Sequence, residues 1–204
     1  MLAVLRQRNF ALLWFGNVVS MIGDWILLVA LPFYIYQRTG SALATGATFI
    51  VETLPTLFFG SLAGVFVDRW NRKWTLVIAN WMSVLFLLPL LFIQSRNGLW
   101  LVYVVAFAES IIAQFIGPAS SALVPNLVEE QQLTAANSAN SFGQEVTRLI
   151  GPTLGGLVLG VFGLTNVVLI DSFTFLCCGL LILLISLPPT RRSRQSPCLI
   201  LIWL

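Results

Sequence analysis

"GVFVDRWNRKW", residues 64–74, is a short charged turn between two long apolar runs. Asp68, Arg69, Arg72 and Lys73 crowd into it, while the runs on either side carry very few charges. A chain that crosses hydrocarbon must reverse in water, so a basic turn between apolar runs marks a membrane surface. Working outward from it, six segments reach the roughly 20 apolar residues that span a core about 30 Å thick. They are Phe10–Tyr36, Ala42–Val67, Trp74–Gln94, Leu99–Ala122, Asn140–Phe162 and Asn166–Leu187. The fifth carries Gln144, Glu145 and Arg148 in its first turns. These lengths predict helices, because barrel strands would be about ten residues of strict alternation.

Composition points the same way. The chain is 58% hydrophobic and 9% charged, has no His, and has a mean hydropathy of +0.91. Soluble domains carry about 25% charged residues, so the lipid bilayer is this chain's solvent. The net charge of +3 therefore predicts no nucleic-acid partner; the positives read as topology signals. Arg6 and Arg8, then Arg69, Arg72 and Lys73, then Arg191, Arg192 and Arg194 fall on one side of the six spans. Arg38 and Arg96 fall on the other. The positive-inside rule makes that first side cytoplasmic, with both termini in it and the loop Val124–Ala139 beside them. The apolar stretch after Arg8 is too long for a signal peptide and reads as the first span. Cys177, Cys178 and Cys198 give no ligand spacing, so no metal, disulfide framework or cofactor is expected. No nucleophile stands beside a base, so no enzyme is expected.

The order of residues in the turn carries more than charge. G-x-x-x-D-R-x-x-R-K, on Gly64, Asp68, Arg69, Arg72 and Lys73, resembles the loop motif of the major facilitator superfamily. Phe66 and Asn71 stand where that motif usually has Leu and Gly. The resemblance implies a cytoplasmic latch, with Asp68 central and Arg72 its main basic partner, holding two six-helix halves in an outward-open state. By chemistry alone Asp68 could instead cap the next helix or pair with Arg69 or Arg72. Gly60 and Gly64 form a G-x-x-x-G, expected to admit a close helix neighbour. "RLIGPTLGGLVLG", residues 148–160, resembles the antiporter signature of the superfamily's fifth span on Gly151, Pro152, Gly155 and Gly156. There Gly151/Gly155 and Gly156/Gly160 predict close helix packing, and Pro152 a bend. Arg148 is expected to pair with Glu145, three residues away on the same face.

"FIGPASSALVPNLVEEQQLTAANS", residues 115–138, and the opening "LRQRNFALLWFGNVVSMIGDW" are similar to the drug and siderophore exporter branch, which holds the macrolide-efflux and enterobactin-exporter proteins. The resemblance covers 1–190 and implies an all-α membrane protein: six transmembrane helices, half of a major facilitator fold, built from two inverted three-helix repeats. Residues 191–204 read as a basic and apolar tail, a truncated central loop in expectation and an interfacial anchor in the alternative. The implied function is proton-coupled efflux of an amphipathic small molecule by alternating access in the plasma membrane, the inner membrane of a cell with two. Its partners would be that substrate and either a C-terminal six-helix half or a second copy. A homodimeric half-transporter and an inactive fragment are the alternatives.

Acids inside spans are costly and rare, and default to functional candidates. Asp24, Glu52 and Glu109 each lie about ten to fifteen residues into their spans, near the midplane at about 1.5 Å per residue. They are the proton-coupling and cavity candidates; a structural acid hydrogen-bonded to a neighbouring helix is the alternative for each. The span-four Arg of many family members is absent here, and Glu109 is the charged residue of that span. Asp171, nearer a span end, is expected at the interface.

Overall fold

A computed structural model describes residues 2–93 and 98–186. The tail 191–204 and Arg96 lie outside the described residues. A short helix α1 (Leu2–Leu5) precedes α2 (Arg8–Thr39), α3 (Ala42–Arg69), α4 (Arg72–Leu87), α5 (Trp100–Leu123) and α6 (Leu133–Leu183). No strand occurs among the described residues. Five helical stretches are long and apolar enough to cross a membrane.

Local chemistry sets the helix ends. Gly40 closes α2 in the left-handed region (φ 66°), its N–H donating to the Tyr36 carbonyl at 2.8 Å. Ser41 then opens α3, its hydroxyl accepting from the Ala44 N–H at 3.3 Å. Asn71, not Asp68, caps α4: its side chain accepts from the Trp74 N–H. The residue that departs from the family's usual Gly thus supplies the N-cap, a role for which Asn is among the best residues. Pro89 tightens the end of the third span into a 3-10 turn, Leu88–Phe92.

The fifth and sixth spans form one helical run of 51 residues with a single break at Gly163 (φ 76°, ψ 174°). Contacts along α2 show that the chain reverses there. In the first arm (α6a, 133–162), Gly143 lies against Val18, Gly151 against Trp25 and Gly155 against Ile26, so α6a runs parallel to α2. In the second arm (α6b, 164–183), Asp171 lies against Gly23 and Cys178 against Gly16, and beyond it Asn9 donates to the Ser186 carbonyl. That order is antiparallel. The six expected spans are therefore present, the last two as a hairpin. α6 starts seven residues earlier than the expected fifth span, because Ala136 and Ala139 are fully buried in the bundle. The loop expected to reach Ala139 ends at Gln132.

α2 is the central helix, clasped between the two arms. Apolar clusters sit at either end of it, one around Phe10 and Leu13, the other around Ile26–Ile35. Between them α2 presents Gly16, Ser20 and Gly23, small residues that let α6b close in. α5 packs on α3, α4 and, through the Asn17–Ser120 hydrogen bond at 2.7 Å, on α2.

Candidate functional site

The polar residues that sequence places at mid-depth converge. Asp24 of α2, Glu52 of α3, Ser83 of α4 and Glu109 and Ser110 of α5 line one cleft of about 320 Å³. Leu27, Leu28, Leu31, Ile116 and Phe175 supply most of the remaining wall, and no Arg or Lys among the described residues lines it. Hydrogen bonds from α5 place the acid wall. Tyr103 donates to the Ala44 carbonyl at 2.9 Å, Ser110 to the Glu52 carbonyl, and Gln114 to the Thr56 hydroxyl at 3.0 Å. Their constant offset holds α3 parallel to α5 and keeps Glu52 level with Glu109.

The three acids differ in environment. Asp24 is exposed on the open side of the cleft, Glu52 is half-buried, and one Glu109 carboxyl oxygen is buried with no hydrogen-bond partner. A fourth joins them. Asp171, expected at the interface, is fully buried in the core. Its carboxyl presses on Gly23, where a Cβ would collide with Asp171 and Thr174. Thr174 donates to the Asp171 carbonyl at 2.7 Å and lies 3.4 Å from its Oδ1, while Oδ2 has no partner. The readable signal for Asp171 was its spacing from Thr174, one helical turn on, opposite a Gly; only the partner helix reveals that register.

The charged turn is used differently from the motif's simplest reading. Lys73 is engaged inside the chain: its ammonium donates to the Leu183 and Ile185 carbonyls at 2.9 and 2.7 Å. A cation on the last carbonyls of a helix complements its dipole, so Lys73 ties α4 to the end of α6b. Arg69 is exposed and Arg72 half-buried. The Asp68 side chain lies outside the described residues. Among the described residues, no helix makes the expected close approach to Gly60 or Gly64. A Cβ at Gly60 would meet only the Gln114 side chain, at 3.5 Å, and one at Gly64 would meet nothing within 4 Å.

The span-five motif divides by helix face. Gly151 and Gly155 pack tightly on α2, with Gly143, Thr147 and Leu159 on the same buried stripe. Gly156 and Gly160 meet nothing within 4 Å. Pro152 lies inside α6a beside this stripe. Arg148 and Glu145 are both exposed, and the expected pairing is not formed: no ion pair joins them.

A multi-pass helical bundle with an acid-lined cleft at mid-depth is the architecture of a secondary-transporter half. The sequence profile of the Major Facilitator Superfamily matches residues 13–197, and the chain belongs to that family, whose members are transporters rather than enzymes. It is 30% identical over 195 residues to macrolide efflux protein A of Streptococcus pyogenes, covering 93% of this chain and 47% of that protein. It is 26% identical over 198 residues to the multi-drug resistance efflux pump PmrA of Streptococcus pneumoniae, covering 94% and 49%. The MFS-type transporter YkuC of Bacillus subtilis is 25% identical over 191 residues, covering 93% and 44%. The chain thus spans about half the length of the curated relatives it matches. No solved structure matches it.

Proposed function

We propose that this chain is the N-terminal half of an exporter of the plasma membrane, exchanging protons for an amphipathic small molecule by alternating access. One observation carries the reading: Asp24, Glu52 and Glu109, from three helices, line a single, largely apolar cleft that no basic residue among the described residues shares. Apolar walls suit an amphipathic solute, with carboxyls to take protons or to face a cationic group. The efflux relatives support this substrate class. In this reading, both termini and the 64–74 turn are cytoplasmic, and Asp68, Arg69 and Arg72 latch onto the second half. Because Lys73 is held by α6b, its share in the latch is to fix the turn. The second half is a C-terminal six-helix unit or another copy of the chain, and the two halves rock about the cleft.

Proteoliposomes with an imposed pH gradient test it, with the chain alone and with a C-terminal half co-expressed. Proton-driven movement of a lipophilic cation or a macrolide is expected. Asp24→Asn and Glu109→Gln are expected to abolish the gradient's effect while leaving solute exchange without a gradient. Coupling unchanged in both variants would sink the carboxyl assignment. Transport by the chain alone would make a second copy the partner.

A further inference from the structure

A second concavity lies away from the acid cleft, at the basic end of the bundle. α3 and α4 each pack on α5 but scarcely on each other, and a groove of about 570 Å³ lies along α4 and α5 beside the turn that joins α3 to α4. Arg69, Trp70 and Trp74, with Phe115 of α5, frame its mouth; Ile78 and Met82 of α4 and Ile111 of α5 line it further in. Trp70 stacks on Phe115, ring centroids 6.4 Å apart and planes within 13°. We propose that this groove holds an acyl chain of an anionic phospholipid, with the lipid phosphate against Arg69.

Three observations favour that occupant. The first is depth. From Trp74 to Met82 the α4 wall rises about 12 Å, and half of a hydrocarbon core is about 15 Å. The groove therefore runs from the interface through most of one leaflet, the track of a single lipid tail and too deep for a soluble partner. The second is the mouth. Trp70 and Trp74 are half-exposed, at 54% and 52%, as expected of aromatic residues at the headgroup level. The third is charge. Arg69 is exposed, is the charged residue of the lining among the described side chains, and stands at the end of the bundle that also carries Arg72 and Lys73. That complements a phosphate, and the positive-inside rule sets this end against the leaflet rich in anionic lipid. Met82 adds a flexible side chain that adapts to a mobile tail. The inference concerns this chain by itself, with Arg69 not engaged in a latch to a second half, and so does not rest on the transport reading.

Native mass spectrometry of the purified, delipidated 204-residue chain tests it, with phosphatidylglycerol and phosphatidylcholine of identical tails as probes. One phosphatidylglycerol should be retained, at about fivefold preference, the worth of one Arg near an anionic surface. Arg69→Gln, a change at an exposed side chain, should bring the preference close to one. Ile78→Trp should fill the groove and lower retention of both lipids, whereas Arg38→Gln, at the opposite end, should change nothing. Circular dichroism confirms that each variant is helical. Equal retention of both lipids by the unaltered chain, or a preference that survives Arg69→Gln, overturns the proposal. So does a photo-crosslinking residue at position 78 that captures protein instead of lipid in native membranes.

Discussion

At Gly155 two backbones meet. A Cβ there would stand 2.9 Å from the Ile26 carbonyl oxygen and 3.0 Å from its Cα, with no flexible side chain to yield. The next residue, Gly156, faces open space. Sequence presents the two as equal members of one motif; only the helical phase, about 100° apart, separates them. Gly155→Ala should therefore destabilise the chain by about 1–3 kcal/mol, the range for overpacking a close-packed contact. Gly156→Ala should be neutral or stabilising by up to about 1 kcal/mol, from helix propensity alone. Thermal unfolding in detergent, followed by circular dichroism, reads both; equal shifts would mean that the α2–α6a contact is not as tight as described. The same logic of phase governs Lys73. It is grouped with Arg72 in the motif, yet one residue along the helix turns it onto the α6b carbonyls.

The element that most departs from its expected form is α6. Hydropathy marks two apolar segments and a polar gap at Asn166, so two spans were legible. The turn itself was not. It is one residue, Gly163, held at φ 76°, ψ 174°, a region open essentially only to Gly. Ala at this position should cost about 1–3 kcal/mol. It should also loosen the hairpin, seen as faster hydrogen exchange in 159–167 than in α2; an unchanged Tm would show that the break is not strained. The tight turn also explains the misplacement of Asp171. Counting from a span end assumes that every span ends at the same level. Gly163 instead shares a pocket with Tyr34, Gln37 and Arg38, short of the end of α2 at Thr39. Eight residues back along α6b, Asp171 is level with Gly23. The acids of α2, α3 and α5 were legible because long apolar runs fix their depth. The fourth depended on a turn whose geometry is not written in hydropathy.

For the whole molecule, the distribution of charge becomes an argument about orientation. Asn9 and Ser186 are joined by hydrogen bonds, and Lys73 reaches Leu183 and Ile185. The start of α2, the α3–α4 turn and the end of α6b therefore share one end of the bundle, which bears Arg8, Arg69, Arg72 and Lys73. Arg38, lying over the Tyr34 ring at 5.3 Å, is at the other end. Such a bundle has two ways to insert, and the positive-inside rule predicts the one with its basic end in the cytoplasm. The lipid groove opens at that same end, so the orientation also decides which leaflet could fill it. Cysteine accessibility separates the two insertions. In a chain whose own cysteines are replaced, Gln37→Cys and Trp70→Cys put one thiol at each end, both at exposed positions. A membrane-impermeant maleimide added to intact cells should label Gln37→Cys and leave Trp70→Cys unlabelled until the membrane is permeabilised. The reverse pattern would put the basic end outside and, with it, remove the cytoplasmic latch from Asp68, Arg69 and Arg72. Labelling of both sites in intact cells would mean that the chain inserts in both directions, and that its charge difference is too small to choose.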